Sequence, residues 1–319
     1  MNEFKLIDKY LKTLTKNNYS ALNLNDDVFF HKKKNIVISV DTYNENYHFF
    51  KFSDPKNILT KVIRSSISDL IAKGVKPSYV FISASGNSKN LSSNKMRLIS
   101  KTLYKEQKKY GFKLSGGDTT NSKVLSFSIT SLGFSKNIIK RCKAKLNDDI
   151  YVTGNIGDSY IGFKILKKKL TFNTKQKNYF INSYYKPKLA FKFSNYISKI
   201  ANTSIDISDG ILSDMEKLIK NQNLSYKIYV DKIPISKFLY LYLNKYKKNK
   251  THFLFNGDDY QILFTASPNK RKLIKKISNK LNQKITLIGS IHNNSKKNEL
   301  LFDNKPLKLG KFKGYSHKF

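Results

Sequence analysis

Short β-branched runs alternate along the chain with stretches whose apolar residues fall at helical spacing, and nothing else in the sequence restricts the fold as strongly. Residues 3 to 16 place Phe4, Ile7, Leu11 and Leu14 on one face of an amphipathic helix. Ile36-Val37-Ile38-Ser39-Val40 then reads as a strand, Pro55 to Lys73 as a helix, Tyr79 to Ser83 as a strand and Ser92 to Tyr110 as a helix, before a strand pair around Leu114 and Val124 to Leu132. The basic, weakly periodic segment Ser135 to Asp149 ends in a turn signal and is the expected crossing between two units. Beyond it come strand Ile150 to Thr153, a glycine turn into a helix, helices near 174–184 and 187–201, strand Thr203 to Ile207 and helix Ile211 to Lys220. Strands Tyr226 to Val230 and Tyr260 to Ala266, helix 268–282 and strand Ile285 to Ile291 complete the pattern. The expected architecture is α/β, or mixed α+β, in two domains spanning 1–136 and 137–319, each long enough to bury its own core.

Composition removes several function classes. The longest apolar runs, such as Tyr79-Val80-Phe81-Ile82, fall far below the roughly 20 residues of a membrane helix. The start MNEFKLIDKYL has no signal-peptide core, so the expectation is a soluble cytoplasmic protein without a membrane partner. Cys142 is the single cysteine, which cannot form an internal disulfide and matches no zinc spacing. Sixty basic residues against 22 acidic ones give a net charge of +38, which raises the question of nucleic acid. Only four of the sixty are arginine (Arg64, Arg97, Arg141, Arg271), the residue that reads guanine and grips phosphate bidentately. Lysine is spread over the whole length beside abundant Asn and Ile, a drift toward A/T-rich codons, so no specific nucleic-acid partner is expected.

Against that background the acids are informative. Seventeen of the 22 are aspartate, the compact carboxylate that hard cations use, and many lie beside Gly, Ser, Thr or Asn at the ends of apolar runs. Neither G-x-x-x-x-G-K-[ST] nor G-x-G-x-x-G is present, so phosphate must be held another way, and aspartates gripping Mg²⁺ are the alternative. Five elements offer themselves: Asn25-Asp26-Asp27; Ser39-Val40-Asp41-Thr42, with His48 seven residues beyond Asp41; Ser66-Ile67-Ser68-Asp69-Leu70 inside a helix; Ser115-Gly116-Gly117-Asp118-Thr119-Thr120 between two strands; and Ile205-Asp206-Ile207-Ser208-Asp209-Gly210, where a strand hands over to a helix. Any one of these aspartates alone reads first as a turn or helix-cap residue; five such elements together point to a multi-metal phosphate site. Gly154, Gly157 and Gly162 can hold a phosphate at a helix N-terminus or serve close helix–sheet packing, and packing is the preferred reading.

In order and spacing, N-D-D (25–27), S-V-D-T (39–42), His48, S-S-I-S-D-L-I-A-K-G-V-K-P (65–77), S-G-G-D-T-T (115–120), V-T-G-N-I-G-D (152–158), I-D-I-S-D-G-I-L-S-D (205–214), N-G-D-D-Y (256–260) and G-Y-S-H (314–317) resemble the thiamine-monophosphate kinases, of the aminoimidazole ribonucleotide synthetase-like superfamily. The resemblance covers nearly the whole chain. It implies a two-domain protein whose N-terminal mixed sheet forms a homodimer through that sheet and whose C-terminal α/β domain completes the nucleotide and substrate site. It implies ATP-dependent conversion of thiamine monophosphate to thiamine diphosphate with release of ADP, by direct transfer without a phospho-enzyme. By the same resemblance Asp27, Ser39, Asp41, Asp69, Asp118, Asp206 and Asp209 would bind Mg²⁺ ions; Gly117, Asp118, Arg141 and Ser208 would contact ATP; and His48, Asp258 and Tyr315 would lie at thiamine monophosphate.

From the residues themselves, Arg141 suits a polyphosphate or is a linker charge, His48 is a ligand or is packed among Tyr47, Phe49 and Phe50, and Tyr315 stacks on a heterocycle or fills a core. The chain departs from the family's usual Gly-Asp-Asp, Ser-Thr-Asp and Gly-Gly-Glu-Asp-Tyr at Asn25, Val40, Asn256 and Asp258. A sister activity of the selenophosphate synthetase kind lacks its reactive N-terminal cysteine, since the sole cysteine is Cys142.

Overall fold

In a computed structural model, described over residues 3–248, 250–253, 256–294 and 297–307, the chain builds two mixed sheets with helices packed on them. The opening stretch is not the regular amphipathic helix its spacing predicts. Helix α1 covers only Glu3–Leu6, followed by a wide π turn at Ile7–Leu11 and a tight 3-10 turn at Lys12–Thr15. Leu11 and Leu14 are exposed, so no core contact enforces α geometry on a segment too short to hold it alone.

The first half continues through β1 (Phe29–His31), β2 (Ile36–Asn44), α2 (Pro55–Ala72), β3 (Pro77–Gly86), α3 (Ser93–Tyr110), β4 (Lys113–Gly116), β5 (Thr119–Asn121) and β6 (Ser126–Phe134). The sheet runs β1-β2-β6-β3-β4, antiparallel except that β4 and β5 both run parallel to β3. Asp54 starts α2 by accepting from the Asn57 amide at 3.0 Å, with Pro55 in the first turn, where its missing N–H costs nothing. Ile58, Leu59, Val62, Ile63, Ile67 and Ile71 bury the helix almost all round, because it lies between the first sheet and the second half of the chain. That sandwiched position is what brings its polar residues into a site.

The second half comprises β7 (Asp149–Thr153), α4 (Asp158–Leu166), α5 (Thr174–Tyr185), α6 (Ser194–Ile197), β8 (Thr203–Asp206), α7 (Ile211–Leu218), β9 (Leu224–Tyr229), α8 (Lys237–Lys245), β10 (Ile262–Ala266), α9 (Arg271–Leu281), β11 (Ile285–Asn293), β12 (Glu299–Phe302) and β13 (Lys305–Pro306). Its sheet runs β13-β12-β9-β11-β7-β10-β8, with β12 parallel to β9 and the other pairs antiparallel. One core passes from Phe52, Ile63 and Phe127 in the first half to Tyr151, Phe193 and Phe264 in the second. Between β6 and β7 the chain crosses without helix or strand, pinned by the Arg141 amide donating to Asp26 Oδ2 at 2.9 Å and the Cys142 amide donating to the Leu218 carbonyl at 2.9 Å.

The helix expected over 187–201 shrinks to the single turn of α6. Pro187 restricts Lys186, and the carbonyls that would accept helical bonds go elsewhere: Arg64 donates to the Pro187 oxygen and Gln261 to that of Lys188. Strand β10 starts at Ile262 rather than Tyr260, because Asp258 and Tyr260 take φ of +67° and +50°. Gly162 serves packing: a side chain there would stand 2.2 Å from the Phe180 carbonyl oxygen of α5. Among the described residues no helix is long and apolar enough to cross a membrane.

Candidate active site

The site grows from three elements that meet at α2. On β2 the side chains of Ser39, Asp41 and Tyr43 share one face, as period two demands, and that face lies against α2. From α2 come Lys61, Ser65, Ser66, Ser68 and Asp69, and from the second half Asp206 arrives at the carboxyl end of β8. Ser39 donates to Asp69 Oδ2 at 2.5 Å, and Ser68 donates both to Asp206 and to the Ser65 carbonyl. These bonds fix the distance between a strand of the first sheet, the central helix and a strand of the second.

Asp41, Asp69 and Asp206 form a concentrated negative charge. Burial pushes Asp41 up to about 7, the Asp206 carboxylate adding to it and hydrogen bonds from Ser66 and Tyr43 opposing. Burial likewise raises Asp206 to about 6, with Asp27 contributing, and lifts Asp69 well above the ordinary carboxylate range, with Asp41 contributing. Among the described residues none of the three makes an ion pair; their recorded partners are hydroxyls. Carboxylates crowded together, Asp206 buried and Asp41 and Asp69 half-buried, that repel one another and take hydroxyl donors are a donor set that fits a hard divalent cation. Among the described residues no three acidic, histidine or cysteine side chains close into a cage.

At one edge of this cluster Asp26 and Asp27 are already neutralised. Lys73 lies 2.9 Å from Asp26 Oδ1 and 2.9 Å from Asp27 Oδ2, and Arg141 stands 3.2 Å from Asp27 Oδ1 while donating to the Asn25 carbonyl at 2.8 Å. Burial opposes the Asp27 charge, yet Arg141 and Lys73 hold its carboxyl well below the usual range.

At the other edge the turn after β8 is stitched to residues 256–260. The Asp258 amide donates to the Ser208 carbonyl at 3.0 Å and the Tyr260 amide to that of Ile207 at 2.9 Å. Only glycine fits at 257, because a Cβ there would stand 1.6 Å from the Ser208 carbonyl oxygen. Asp214 Oδ2 accepts from the Ser208 and Asp209 amides at 3.0 Å each, and Lys217 ties Asp209 (2.5 Å) to Asp214 (2.8 Å). Asp258 Oδ1 stands in an ion pair 2.8 Å from Lys61 Nζ and accepts from the Tyr260 hydroxyl at 3.0 Å; the buried Lys61 ammonium also sits 3.8 Å from the Tyr184 ring centroid.

With this geometry in hand, the comparisons with known proteins are specific. Residues 24–135 match the family described as AIR synthase related protein, N-terminal domain. A thiamine-monophosphate kinase of Buchnera aphidicola subsp. Schizaphis graminum is 35% identical, covering 99% of this chain and 98% of its own length. The chain belongs to the thiamine-monophosphate kinase family. A second member, from Haemophilus influenzae, is 30% identical over 99% of this chain and 98% of its own. Among solved structures, AaThiL complexed with AMPPCP and TMP superposes with a TM-score of 0.84 at 27% identity, covering 99% of this chain and 97% of that one. The fold is therefore the family's, with two mixed sheets and helices.

Of the residues the sequence singled out, Asp27, Ser39, Asp41, Asp69, Asp206, Ser208, Asp209, Arg141 and Asp258 line one continuous region around α2, β8 and the 256–260 loop. Gly117 and Asp118 are on a neighbouring loop between β4 and β5. A Cβ on Gly117 would meet the Ile82 carbonyl oxygen at 1.8 Å, and Asp118 is exposed, accepting from the Thr119 amide at 2.7 Å. No hydrogen bond or ion pair joins Asp118 to the aspartate cluster among the described residues. His48 is half-buried, its Nδ1 accepting from the Asn44 amide at 3.0 Å and its ring edge-on to Tyr43. Tyr315 lies outside the described residues. Lys61, Lys73, Lys217 and Asp214 were not anticipated. Helical spacing offers a signal, since Lys61, Ser65 and Asp69 lie four apart, and Lys73 follows Asp69 by four.

Proposed function

We propose that this protein transfers the γ-phosphoryl group of ATP to the phosphate of thiamine monophosphate, yielding thiamine diphosphate and ADP, as a Mg²⁺-dependent cytosolic kinase. The observation that carries the reading is the Asp41–Asp69–Asp206 cluster, with Asp206 buried, Asp41 and Asp69 half-buried and no ion pair among the described residues, set where both halves meet, in a chain of this family. AMPPCP is an ATP analogue, and its presence with TMP in AaThiL supports ATP as co-substrate here.

Phosphoryl transfer of this kind needs positioning and charge neutralisation rather than a nucleophilic side chain. The acceptor is a phosphate oxygen of thiamine monophosphate, which forms a bond to the γ-phosphorus as the bond to the β-bridging oxygen breaks and ADP leaves. Asp41, Asp69 and Asp206 would hold the magnesium, which when bound would supply positive charge to the polyphosphate oxygens. Ser39 and Ser68 orient Asp69 and Asp206, while Asp118 waits on the solvent-facing β4–β5 loop. Arg141, Gly117 and Ser208 take the ATP side; Asp258, steadied by Lys61, together with His48 and Tyr315 takes the thiamine side. Residues 1–136 carry the metal and dimerisation functions and 137–319 complete the nucleotide and substrate site.

The open face of the first sheet supports a homodimer. Val40, Tyr79, Phe81 and Phe134 are exposed there, an apolar patch on the side of the sheet opposite α2. Formation of thiamine diphosphate by the purified protein with ATP, thiamine monophosphate and Mg²⁺ tests the assignment. ATP turnover dependent on a different acceptor would move the protein to a sister activity.

A further inference from the structure

Lys73 immediately follows α2, where a helix C-terminus favours a cation, and its side chain is fully enclosed. Its ammonium donates to the Ser204 carbonyl oxygen of β8 at 2.9 Å and stands in ion-pair contact, also at 2.9 Å, with Asp26 Oδ1 and Asp27 Oδ2. Arg141 supplies a second cation through Asp27 Oδ1, and its main-chain amide takes Asp26 Oδ2. The pair of carboxylates at 26 and 27 is therefore matched by a pair of protein cations in direct ion pairs, whereas Asp41, Asp69 and Asp206 make no ion pair among the described residues and Asp206 feels Lys73 and Lys217 only at longer range. A divalent ion taking Asp27 would have to compete with Lys73, whose side chain is fully buried, and drawing Asp27 away would weaken the pairing of a buried ammonium. The same side chain spans the halves: Asp69 is four residues before it on α2, and Asp206 lies two residues beyond Ser204 on β8.

We infer that Lys73 is the resident cation of the Asp26–Asp27 pole, filling the charge role a metal would have there, so that the divalent ions at Asp41, Asp69 and Asp206 are held without Asp27. The inference rests on the magnesium site proposed above and makes Asp27 a positioning anion, not a metal ligand. Its test is a Mn²⁺ count by electron paramagnetic resonance on the full chain with AMPPCP, comparing wild type, Asp27→Asn and Asp41→Asn. Asp27→Asn is expected to bind as many ions as wild type, with Asp41→Asn losing one; loss of an ion in Asp27→Asn overturns the inference. Anomalous diffraction from wild-type crystals soaked in Mn²⁺ needs no variant to fold. Peaks at Asp41, Asp69 and Asp206 with Lys73 still on Asp27 support it, and a peak coordinated by Asp27 overturns it while leaving the magnesium site standing. Absence of Mn²⁺ from all these carboxylates removes both.

Discussion

Replacing Asp41 by asparagine should stabilise the metal-free protein, and by an amount that depends on pH. In the fold Asp41 holds its proton up to about 7, against an ordinary value of 3.8. Between those values the folded state binds more protons than the unfolded one, so stability falls as pH rises through the window and the full penalty is present above it. The difference corresponds to about 4 kcal/mol. Asp41 keeps part of its surface open to solvent, which reduces the expected penalty to about 2 kcal/mol. Asparagine has nearly the same shape without the charge and escapes that term. Thermal unfolding in EDTA at pH 5, 6, 7 and 8 reads it out: the melting temperature of Asp41→Asn should exceed wild type by about 4 °C at pH 8, at about 2 °C per kcal/mol for a chain of this size, and the gap should shrink toward pH 5. Saturating Mg²⁺ should raise wild type more than the variant. A variant less stable than wild type at pH 8, or a gap that does not change with pH, would show that the cluster does not carry mutual repulsion.

Gly257→Ala should lower stability by about 2–4 kcal/mol, since its Cβ would stand 1.6 Å from the Ser208 oxygen and the two amide bonds joining 258 and 260 to 207 and 208 would loosen; chemical denaturation measures it. Glu106→Ala should cost about 3–5 kcal/mol, because it strands the buried Arg64 guanidinium that Glu106 receives at 2.9 Å through both carboxylate oxygens; a loss below about 1 kcal/mol by the same method would contradict the pairing. Val40→Glu with Phe81→Glu should convert a dimer to a monomer in sedimentation velocity while leaving the circular dichroism spectrum unchanged, since both side chains point away from α2.

Much of the fold was legible because the apolar spacing belongs to elements that are buried. Helices α2 and α3 and the strands from β6 to β11 carry patterns that packing enforces. Residues 3–16 have the same spacing, but Leu11 and Leu14 are exposed and Leu6 and Ile7 only half-buried, so the pattern does not fix their winding. The turn structure at 187–193 was hidden because it depends on Arg64 and Gln261 reaching across from remote positions. In the site the aspartates stood out because acids are scarce, which the lysine-rich composition sharpened. That same composition concealed Lys61, Lys73 and Lys217. Two buried lysines and a half-buried one, all ion-paired, cannot be told from dozens of solvated ones until the partners Asp258, Asp26, Asp27, Asp209 and Asp214 are seen beside them. The shape of the 256–260 loop was similarly invisible, although Gly257 marked where the backbone closes on Ser208.

The most direct measurement is a single-turnover reaction of the purified protein with thiamine monophosphate and ATP carrying a radioactive γ-phosphoryl group, run with and without Mg²⁺. Labelled thiamine diphosphate should form only when Mg²⁺ is present, and Asp41→Asn should abolish it. Label appearing without a divalent cation, or undiminished in Asp41→Asn, would contradict a reaction carried by the aspartate cluster, and no labelled product at all would contradict the kinase assignment itself.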